Sequence, residues 1–177
     1  MRTIAGVLAM TAVLAGAVAA AQPPRDKAPD FTAPSTSGKN VSLADLKGKW
    51  VILFFYPRAE TPGCTKEVCS LRDGYEQIVR QTAVILGISL DSLESQRAFK
   101  RKHHLPFELL SDSDKKIARS YGSLGMLGLY ASRKTFLIDP EGRIARVFDD
   151  VDVSHHDSQV LKALEELKAP PRNGKAR

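Results

Sequence analysis

Two continuous apolar runs, residues 51–55 and 83–88, restrict the fold of this chain more than any other feature. Both are rich in β-branched and aromatic residues, as is typical of inner strands that are covered on both faces of a sheet. The segment from near Pro62 to about Val79 lies between them and is long enough for one crossover helix. The pattern therefore predicts a strand, a helix and a second strand parallel to the first.

The second half of the chain adds a hairpin and three helices. Residues 135–138 and 144–148 are predicted to pair as antiparallel strands, because Pro140 and Gly142 between them favour a turn. Helices are predicted over residues 93–103, 112–119 and about 154–167. The last has a capping-box pattern of Ser154 and Asp157 at its start and one apolar stripe. We expect an α/β protein with a thioredoxin-like fold, in which a central mixed β-sheet is flanked by helices on both faces.

The N-terminus has the pattern of a secretory signal peptide. Arg2 is followed by an uncharged run of Ala, Val, Leu and Gly that ends in the small residues 19–21. A membrane anchor is the alternative, but the run is short for a span and is interrupted by glycine and threonine. We expect cleavage after Ala21, export to the periplasm, one domain over residues 22–169 and a disordered basic tail over residues 170–177.

The formal net charge of the chain is +6. Its basic residues are scattered among acidic ones, as in residues 112–116, and this arrangement indicates a solvated surface. We therefore expect no nucleic-acid partner and no stable membrane association once the signal peptide has been removed.

Both cysteines of the chain, Cys64 and Cys69, lie in one segment directly after the first predicted strand. Cys64 falls in the first turn of the crossover helix, where backbone N–H groups and the positive end of the helix dipole favour a thiolate. The thiolate is the nucleophilic form that attacks an O–O bond. The hydroxyl of Thr61 can face the same pocket, while Pro57 and Pro62 fix the geometry of the loop.

A stabilising disulfide is the simplest alternative for two cysteines of an exported protein. However, residues five apart on a regular helix have Cα atoms roughly 8 to 9 Å apart, which exceeds the reach of a disulfide. Bridging them would require part of the helix to unwind, and so small a loop offers little closure entropy. These properties favour a labile, catalytic or regulatory disulfide over a structural one.

The sequence Thr61-Pro62-Gly63-Cys64, with Cys69 five residues later, resembles the active-site signature of peroxiredoxins, in particular the bacterioferritin comigratory protein (type Q) branch. The resemblance extends through residues 28–31, 54–57, 87–92, 109–112 and 133–139, and so covers nearly all of the predicted domain. It implies that Cys64 is the peroxidatic cysteine and that Cys69 is the resolving one within the same helix.

The resemblance also implies roles for four residues around the sulfur. Thr61 would hold the peroxide through its hydroxyl, and Pro57 would shield the pocket. Arg133 would reach in from the neighbouring strand, and Glu67 would hold that arginine in place. A guanidinium beside Cys64 stabilises its thiolate and the negative charge that develops as the O–O bond breaks.

The implied function is that of a thiol-dependent peroxidase for hydrogen peroxide and alkyl hydroperoxides. A Cys64 sulfenic acid would be resolved by Cys69 as an intramolecular disulfide and recycled by thioredoxin or an envelope dithiol protein. The resemblance implies a monomer, and we expect no cofactor. Two other functions stay open: a thioredoxin-like disulfide oxidoreductase, although that class uses Cys-x-x-Cys, and a non-enzymatic exported redox sensor.

Four histidines occur as two adjacent pairs, at residues 103–104 and 155–156. Adjacent residues on a helix point about 100° apart, and no cysteine lies beside these pairs in sequence, so we expect surface or capping roles and no metal. The apolar, glycine-rich stretch 122–131 departs from the typical segment of the family. It is predicted to be a loop with some packed residues, or else a pocket rim or partner surface.

Overall fold

Seven β-strands and five α-helices lie within residues 26–169, the part of the chain that the computed structural model describes. The strands are β1 (Thr32–Pro34), β2 (Asn40–Ser42), β3 (Trp50–Phe55), β4 (Ala83–Ser89), β5 (Glu108–Ser111), β6 (Lys134–Ile138) and β7 (Ile144–Phe148). The helices are α1 (Pro62–Asp73), α2 (Tyr75–Arg80), α3 (Leu93–Lys102), α4 (Lys116–Ser120) and α5 (His156–Lys168).

Five of the strands form one mixed sheet in the order β5-β4-β3-β6-β7, and β1 pairs with β2 in a separate hairpin. The central strand β3 is parallel to β4 and antiparallel to β6. All six of its residues are buried. The parallel pair and the antiparallel hairpin of β6 with β7 are therefore confirmed.

Different helices cover the two faces of this sheet. On one face, buried side chains of α1, α2, α3 and α5 share a core with Ile52 and Phe54 of β3. On the other face, Ile117 and Ala118 of α4 share a core with Leu53. This division follows from the alternation of successive side chains along a strand. Helices flank both faces, as predicted.

The crossover between β3 and β4 consists of two helices rather than the single one predicted over residues 62–79. Helix α1 ends at Asp73 and α2 begins at Tyr75, with Gly74 between them. A Cβ atom added at Gly74 would lie 2.5 Å from the Cβ atom of Asp157 in α5. Helix α5 therefore lies so close to this break that any residue larger than glycine would force α5 or the break to move.

The start of the C-terminal helix also differs from the prediction. Helix α5 begins at His156, and the side chain of its N-cap residue, His155, makes no capping hydrogen bond. Asp157 instead exchanges hydrogen bonds with Ser70 of α1. The predicted capping box with Ser154 is wrong because its acidic member is engaged by another helix.

Helices α3 and α4 lie close to their predicted positions. Helix α3 ends one residue earlier than predicted. Helix α4 begins at Lys116 rather than at Asp112, and the carboxylate of Asp112 accepts hydrogen bonds from the backbone N–H groups of Ile117 and Ala118.

The predicted signal peptide, residues 1–21, and the predicted basic tail, residues 170–177, lie outside the described residues. Between residues 26 and 169, none of the helices combines the length and the apolar character needed to span a bilayer.

Candidate active site

Cys64 lies in the first turn of α1, as predicted, a few residues after the end of β3. Helix α1 starts at Pro62, whose fixed φ suits the first helical position. The side chain of Cys64 is fully buried and belongs to the core beneath the helix. Its position at the helix N-terminus favours a negative charge on the sulfur, because the first backbone N–H groups of a helix have no carbonyl partner within it.

Arg133 brings a positive charge to Cys64 from the neighbouring strand. Lys134 pairs with Phe55 in the antiparallel ladder of β3 and β6, so Arg133 lies beside the chain as it leaves β3. The Nη2 atom of Arg133 donates a hydrogen bond to the Sγ atom of Cys64 at 3.3 Å. Its Nη1 atom donates to the Oε2 atom of Glu67. Three of the predicted site residues are thus brought together.

Gly63 leaves room for this guanidinium. A Cβ atom added at Gly63 would lie 3.3 Å from the Nη2 atom of Arg133, closer than side-chain atoms ordinarily approach. A larger residue would therefore press on the group that contacts Cys64. Local sequence does not reveal this role, because Arg133 comes from a segment distant in the chain.

Burial and ion pairing act against each other at this site. Burial by itself lowers the pKa of Arg133, yet Glu67 and Cys64 together raise that pKa above its ordinary value, so the guanidinium stays charged. Burial raises the pKa of Glu67 to about 7, although Arg133 opposes this shift. The carboxyl group beside Arg133 therefore titrates near neutral pH.

Thr61 and Pro57 lie in the loop between β3 and α1. The Thr61 hydroxyl donates a hydrogen bond to the carbonyl oxygen of Arg58 at 2.9 Å, which leaves its oxygen able to accept one from a ligand. Pro57 is half-buried and lines a cavity of about 450 Å³. The other residues that line this cavity are Arg58, Leu90, Asp91, Leu129 and Tyr130.

Asp91 ties this loop to the end of β4. Its Oδ2 atom accepts hydrogen bonds from the backbone N–H of Ala59 and from the hydroxyl of Ser89, both at 2.8 Å. Because Ala59 lies between Pro57 and Thr61, this carboxylate helps to hold both in place. Asp91 belongs to the segment 87–92 of the resemblance, and sequence reasoning assigned it no role.

The glycine-rich stretch 122–131 forms part of the rim of the same cavity. A short 3-10 turn, Met126–Gly128, lies within it, and Leu124 pairs with Ala131. Leu129 and Tyr130 are exposed and line the cavity beside Pro57. The stretch therefore borders a cavity that Pro57 also lines, whereas Cys64, Thr61 and Arg133 do not line it.

Cys69 is half-buried on the same helix, and both thiols are free. Helix α1 runs without a break from Pro62 to Asp73. The two cysteines therefore lie five residues apart on one continuous helix, as the sequence predicted. A disulfide between them requires part of α1 to open.

His156 contradicts the expected surface or capping role of the histidines. Its side chain is fully buried, and its Nε2 atom lies 2.9 Å from the hydroxyl of Thr135 and 4.0 Å from the Oε1 atom of Glu67. The neighbouring His155 is exposed and pairs with Asp152, in line with the prediction. Within the described part of the chain, no group of three or more His, Cys, Asp or Glu side chains could hold a metal ion.

The fold, together with the contact between Arg133 and Cys64, defines a thioredoxin-fold protein in which an arginine contacts a cysteine at the N-terminus of a helix. The profile of the AhpC/TSA family matches residues 24–147. The chain belongs to this family, within the Bcp or type Q group of the peroxiredoxins.

Individual relatives agree with this assignment. A Coxiella burnetii protein named as a Bcp peroxiredoxin is 46% identical over 144 residues, which make up 78% of this chain and 95% of that protein. Peroxiredoxin Bcp of Bacillus subtilis is 41% identical over 147 residues, or 80% of this chain and 94% of the relative. The solved structure of the Xanthomonas campestris bacterioferritin comigratory protein has a TM-score of 0.73 and 32% identity, covering 77% of this chain and 90% of that one.

The protein is therefore a thiol-dependent peroxidase, an oxidoreductase with the thioredoxin-like fold. The alternatives of a protein disulfide oxidoreductase and a redox sensor are not favoured, because the family and its solved members are peroxiredoxins.

Proposed function

We propose that Cys64 is the peroxidatic cysteine of this peroxidase and that Cys69 is its resolving cysteine. The observation that carries the proposal is the 3.3 Å hydrogen bond from the Nη2 atom of Arg133 to the Sγ atom of Cys64 at the start of α1. The guanidinium and the helix N-terminus both stabilise negative charge at this sulfur.

In the first step, the Cys64 thiolate attacks one oxygen of the peroxide, and the O–O bond breaks. The sulfur becomes a sulfenic acid, while the other oxygen leaves as hydroxide or alkoxide and takes up a proton to give water or an alcohol. Arg133 stabilises the charge that moves from sulfur to the leaving oxygen. The Thr61 hydroxyl holds the peroxide, Pro57 shields it from water, and Glu67 keeps Arg133 in place.

In the second step, the Cys69 thiol condenses with the Cys64 sulfenic acid, which gives a disulfide and releases water. Helix α1 opens locally for this step because its regular geometry holds the two sulfurs apart. A dithiol protein, either thioredoxin or an envelope reductant, then reduces the disulfide by exchange. The cycle needs no cofactor, and one chain contains both reacting cysteines, so a monomer suffices.

Hydrogen peroxide and alkyl hydroperoxides are the proposed substrates. The Xanthomonas campestris bacterioferritin comigratory protein is described as having alkyl peroxide reduction activity. For this chain, the apolar side chains of Leu129 and Tyr130 beside the cavity at Pro57 support the same substrate class.

The apolar run that precedes residues 19–21 supports export by a cleaved signal peptide. The proposed location is the periplasm, and the mature domain begins at residue 22. Mass spectrometry of the protein purified from its native cell tests this proposal, since an N-terminus at Gln22 is expected and an intact Met1 would contradict it.

Peroxide consumption with a dithiol reductant tests the residue assignments. Cys64→Ser should abolish turnover, whereas Cys69→Ser should still give one rapid equivalent of peroxide reduction. After one equivalent of peroxide, the parent should contain a Cys64–Cys69 disulfide by peptide mass spectrometry. Full activity of Cys64→Ser would show that another group reacts with the peroxide.

A further inference from the structure

Glu67 has one paired and one unpaired carboxylate oxygen, both inside the protein. Its Oε2 atom accepts from Arg133. Its Oε1 atom is buried and has no hydrogen-bond partner among residues 26–169. An unsatisfied oxygen of a buried carboxylate is unfavourable, and the group can relieve this cost by binding a proton.

The nearest candidate to share such a proton is His156, whose Nε2 atom lies 4.0 Å from the Oε1 atom of Glu67. Both side chains have no exposed surface. The separation is too long for a hydrogen bond, so an approach of about 1 Å is needed to form one. A proton on the Oε1 atom of Glu67 could therefore be shared with the Nε2 atom of His156 after this approach.

The hydrogen bonds of Gln159 fix the tautomer of His156. The Nε2 atom of Gln159 donates to the carbonyl oxygen of Asp150, and its Oε1 atom accepts from the backbone N–H of Asp152, both at 3.2 Å. The same Oε1 atom lies 3.2 Å from the Nδ1 atom of His156. Because this oxygen can only accept, Nδ1 carries the hydrogen of the neutral ring and Nε2 presents a lone pair.

That lone pair accepts a hydrogen bond from the hydroxyl of Thr135 at 2.9 Å, and the same Nε2 atom lies 4.0 Å from the Oε1 atom of Glu67. An ionised Glu67 therefore meets another acceptor, whereas a protonated Glu67 can donate its hydrogen to the ring. Burial lowers the pKa of His156 to about 4, so the ring stays neutral where Glu67 titrates.

We propose that His156 is a positioning residue of the peroxidatic site, which accepts the proton of Glu67 and so decides the pH at which Glu67 releases its charged contact with Arg133. The inference rests on the proposed role of Cys64 and adds a residue that does not touch the peroxide. His156 acts through Glu67, and Glu67 acts through Arg133.

Other charged or titratable groups face this pair from the surrounding elements. Arg133 precedes β6 and stabilises the carboxylate, and Cys64 lies one turn away on α1. Tyr56 follows β3, and its burial raises its pKa, so it stays neutral. Asp152 and Asp157 act electrostatically on His156 and favour its charged form, although burial outweighs them.

Two variants, one at His156 and one at Thr135, should change the pH at which Glu67 titrates in opposite directions. His156→Phe removes the acceptor and keeps an aromatic ring against Phe148, so Glu67 should lose its proton more easily. Thr135→Val removes the competing donor at nearly constant volume, so the lone pair becomes fully available to Glu67. The titration of Glu67 should therefore move to lower pH in the first variant and to higher pH in the second.

Infrared titration in a Cys64→Ser background measures Glu67 without interference from the thiolate. The carboxylic acid C=O band is assigned by its loss in Glu67→Gln. We expect its midpoint to shift by about half a pH unit or more in each variant, downward in His156→Phe and upward in Thr135→Val. With Cys64 present, the low-pH limb of kcat/KM for hydrogen peroxide should shift in the same two directions.

His155→Asn is the matched control, because it changes the adjacent exposed histidine and should leave the midpoint unchanged. Unchanged midpoints in both variants, or shifts in the same direction, would overturn the inference. If circular dichroism shows that His156→Phe does not fold, the midpoint of Glu67 in Thr135→Val tests the inference alone: an upward shift supports it, and an unchanged midpoint overturns it. The infrared titration does not depend on turnover. It can therefore fail or succeed independently of the proposal that Cys64 is the peroxidatic residue.

Discussion

Ser70 and Asp157 exchange two hydrogen bonds between α1 and α5. The Ser70 hydroxyl donates to the Oδ1 atom of Asp157 at 2.7 Å, and the backbone N–H of Asp157 donates back to the hydroxyl at 3.1 Å. Ser70 directly follows Cys69, so this clamp holds the part of α1 that contains the proposed resolving cysteine. Disulfide formation within α1 therefore competes with the contact to α5.

Ser70→Ala should speed disulfide formation and lower the stability of the reduced protein by about 1 kcal/mol. The variant loses both hydrogen bonds of the clamp, because each of them uses the Ser70 hydroxyl, so α1 opens more readily. At high peroxide, less of Cys64 should reach sulfinic acid, because Cys69 intercepts the sulfenic acid sooner. Mass spectrometry of Cys64 and urea unfolding measure the two effects. Ser154→Ala, which changes an exposed serine before α5 whose side chain does not contact Asp157, is the control, and equal overoxidation in both variants would contradict the role of the clamp.

Arg133→Lys should lower kcat/KM for hydrogen peroxide by about 10- to 100-fold. Arginine contacts Cys64 and Glu67 through two different nitrogens of one planar group, and a single ammonium cannot reproduce that geometry. Steady-state kinetics at saturating reductant measure the loss. Arg80→Lys, which alters an exposed pair with Glu76, should retain parental activity. A lysine variant as active as the parent would show that charge alone suffices.

Glu67→Gln should become more stable relative to the parent as the pH rises from 5 to 8. The pKa of Glu67 is about 7 in the folded protein, above its ordinary value of 4.5, so its protonated form favours folding. The stability that it contributes is full below pH 4.5 and is lost as the pH rises through 7. The amide is neutral throughout, and the expected gain is about 1 to 3 kcal/mol at pH 8.

Urea unfolding at several pH values tests this dependence. His156 also contributes to the pH dependence of both proteins, because its pKa of about 4 lies below its ordinary value of 6.5. That histidine contributes stability above pH 6.5 and loses it as the pH falls through 4, which opposes the trend of Glu67 between pH 4.5 and 6.5. A difference that stays constant from pH 5 to 8 would mean that Glu67 is already ionised at pH 5.

Leu129→Ser should lower kcat/KM for cumene hydroperoxide about threefold or more relative to hydrogen peroxide. Leu129 lines the cavity beside Pro57, where an apolar substituent of the peroxide can pack. The ratio of the two kcat/KM values isolates this contact from general effects on activity. Leu127→Ser is the matched control, since Leu127 is 84% exposed in the same loop and does not line the cavity. Equal ratios in the two variants would exclude the rim from substrate selection.

Much of the fold could be predicted because its signals are local. The strands around Ile52 and Ile85 are apolar, β-branched runs, and their length, together with the spacer between them, indicates a parallel pair. The turn at Pro140 and Gly142 follows from backbone preferences alone. The break at Gly74 and the true start of α5 were missed, because both depend on the contact between two helices far apart in sequence.

The candidate site likewise has features that local sequence predicts and features that depend on contacts between distant segments. The Thr-Pro-Gly-Cys motif and the second cysteine are contiguous, so their resemblance to one family could be recognised. His156 was assigned a surface or capping role because adjacent residues on a helix point about 100° apart and no cysteine lies beside the pair in sequence. Its burial arises only when α5 packs beside Thr135 of β6.

The sequence by itself determined the positions of β3, β4, β6 and β7 and the approximate positions of the helices, where Cys64 stands on its helix and to which family the chain belongs. Hydrophobic periodicity, turn chemistry and a contiguous motif encode these properties within short segments. Only the tertiary structure decided that Glu67 titrates near neutrality, that Gly63 admits the guanidinium and that His156 lies behind the site. Burial and electrostatic interactions depend on groups such as Arg133 and Glu67, which stand 66 positions apart in the chain and meet only when the sheet and helices have packed.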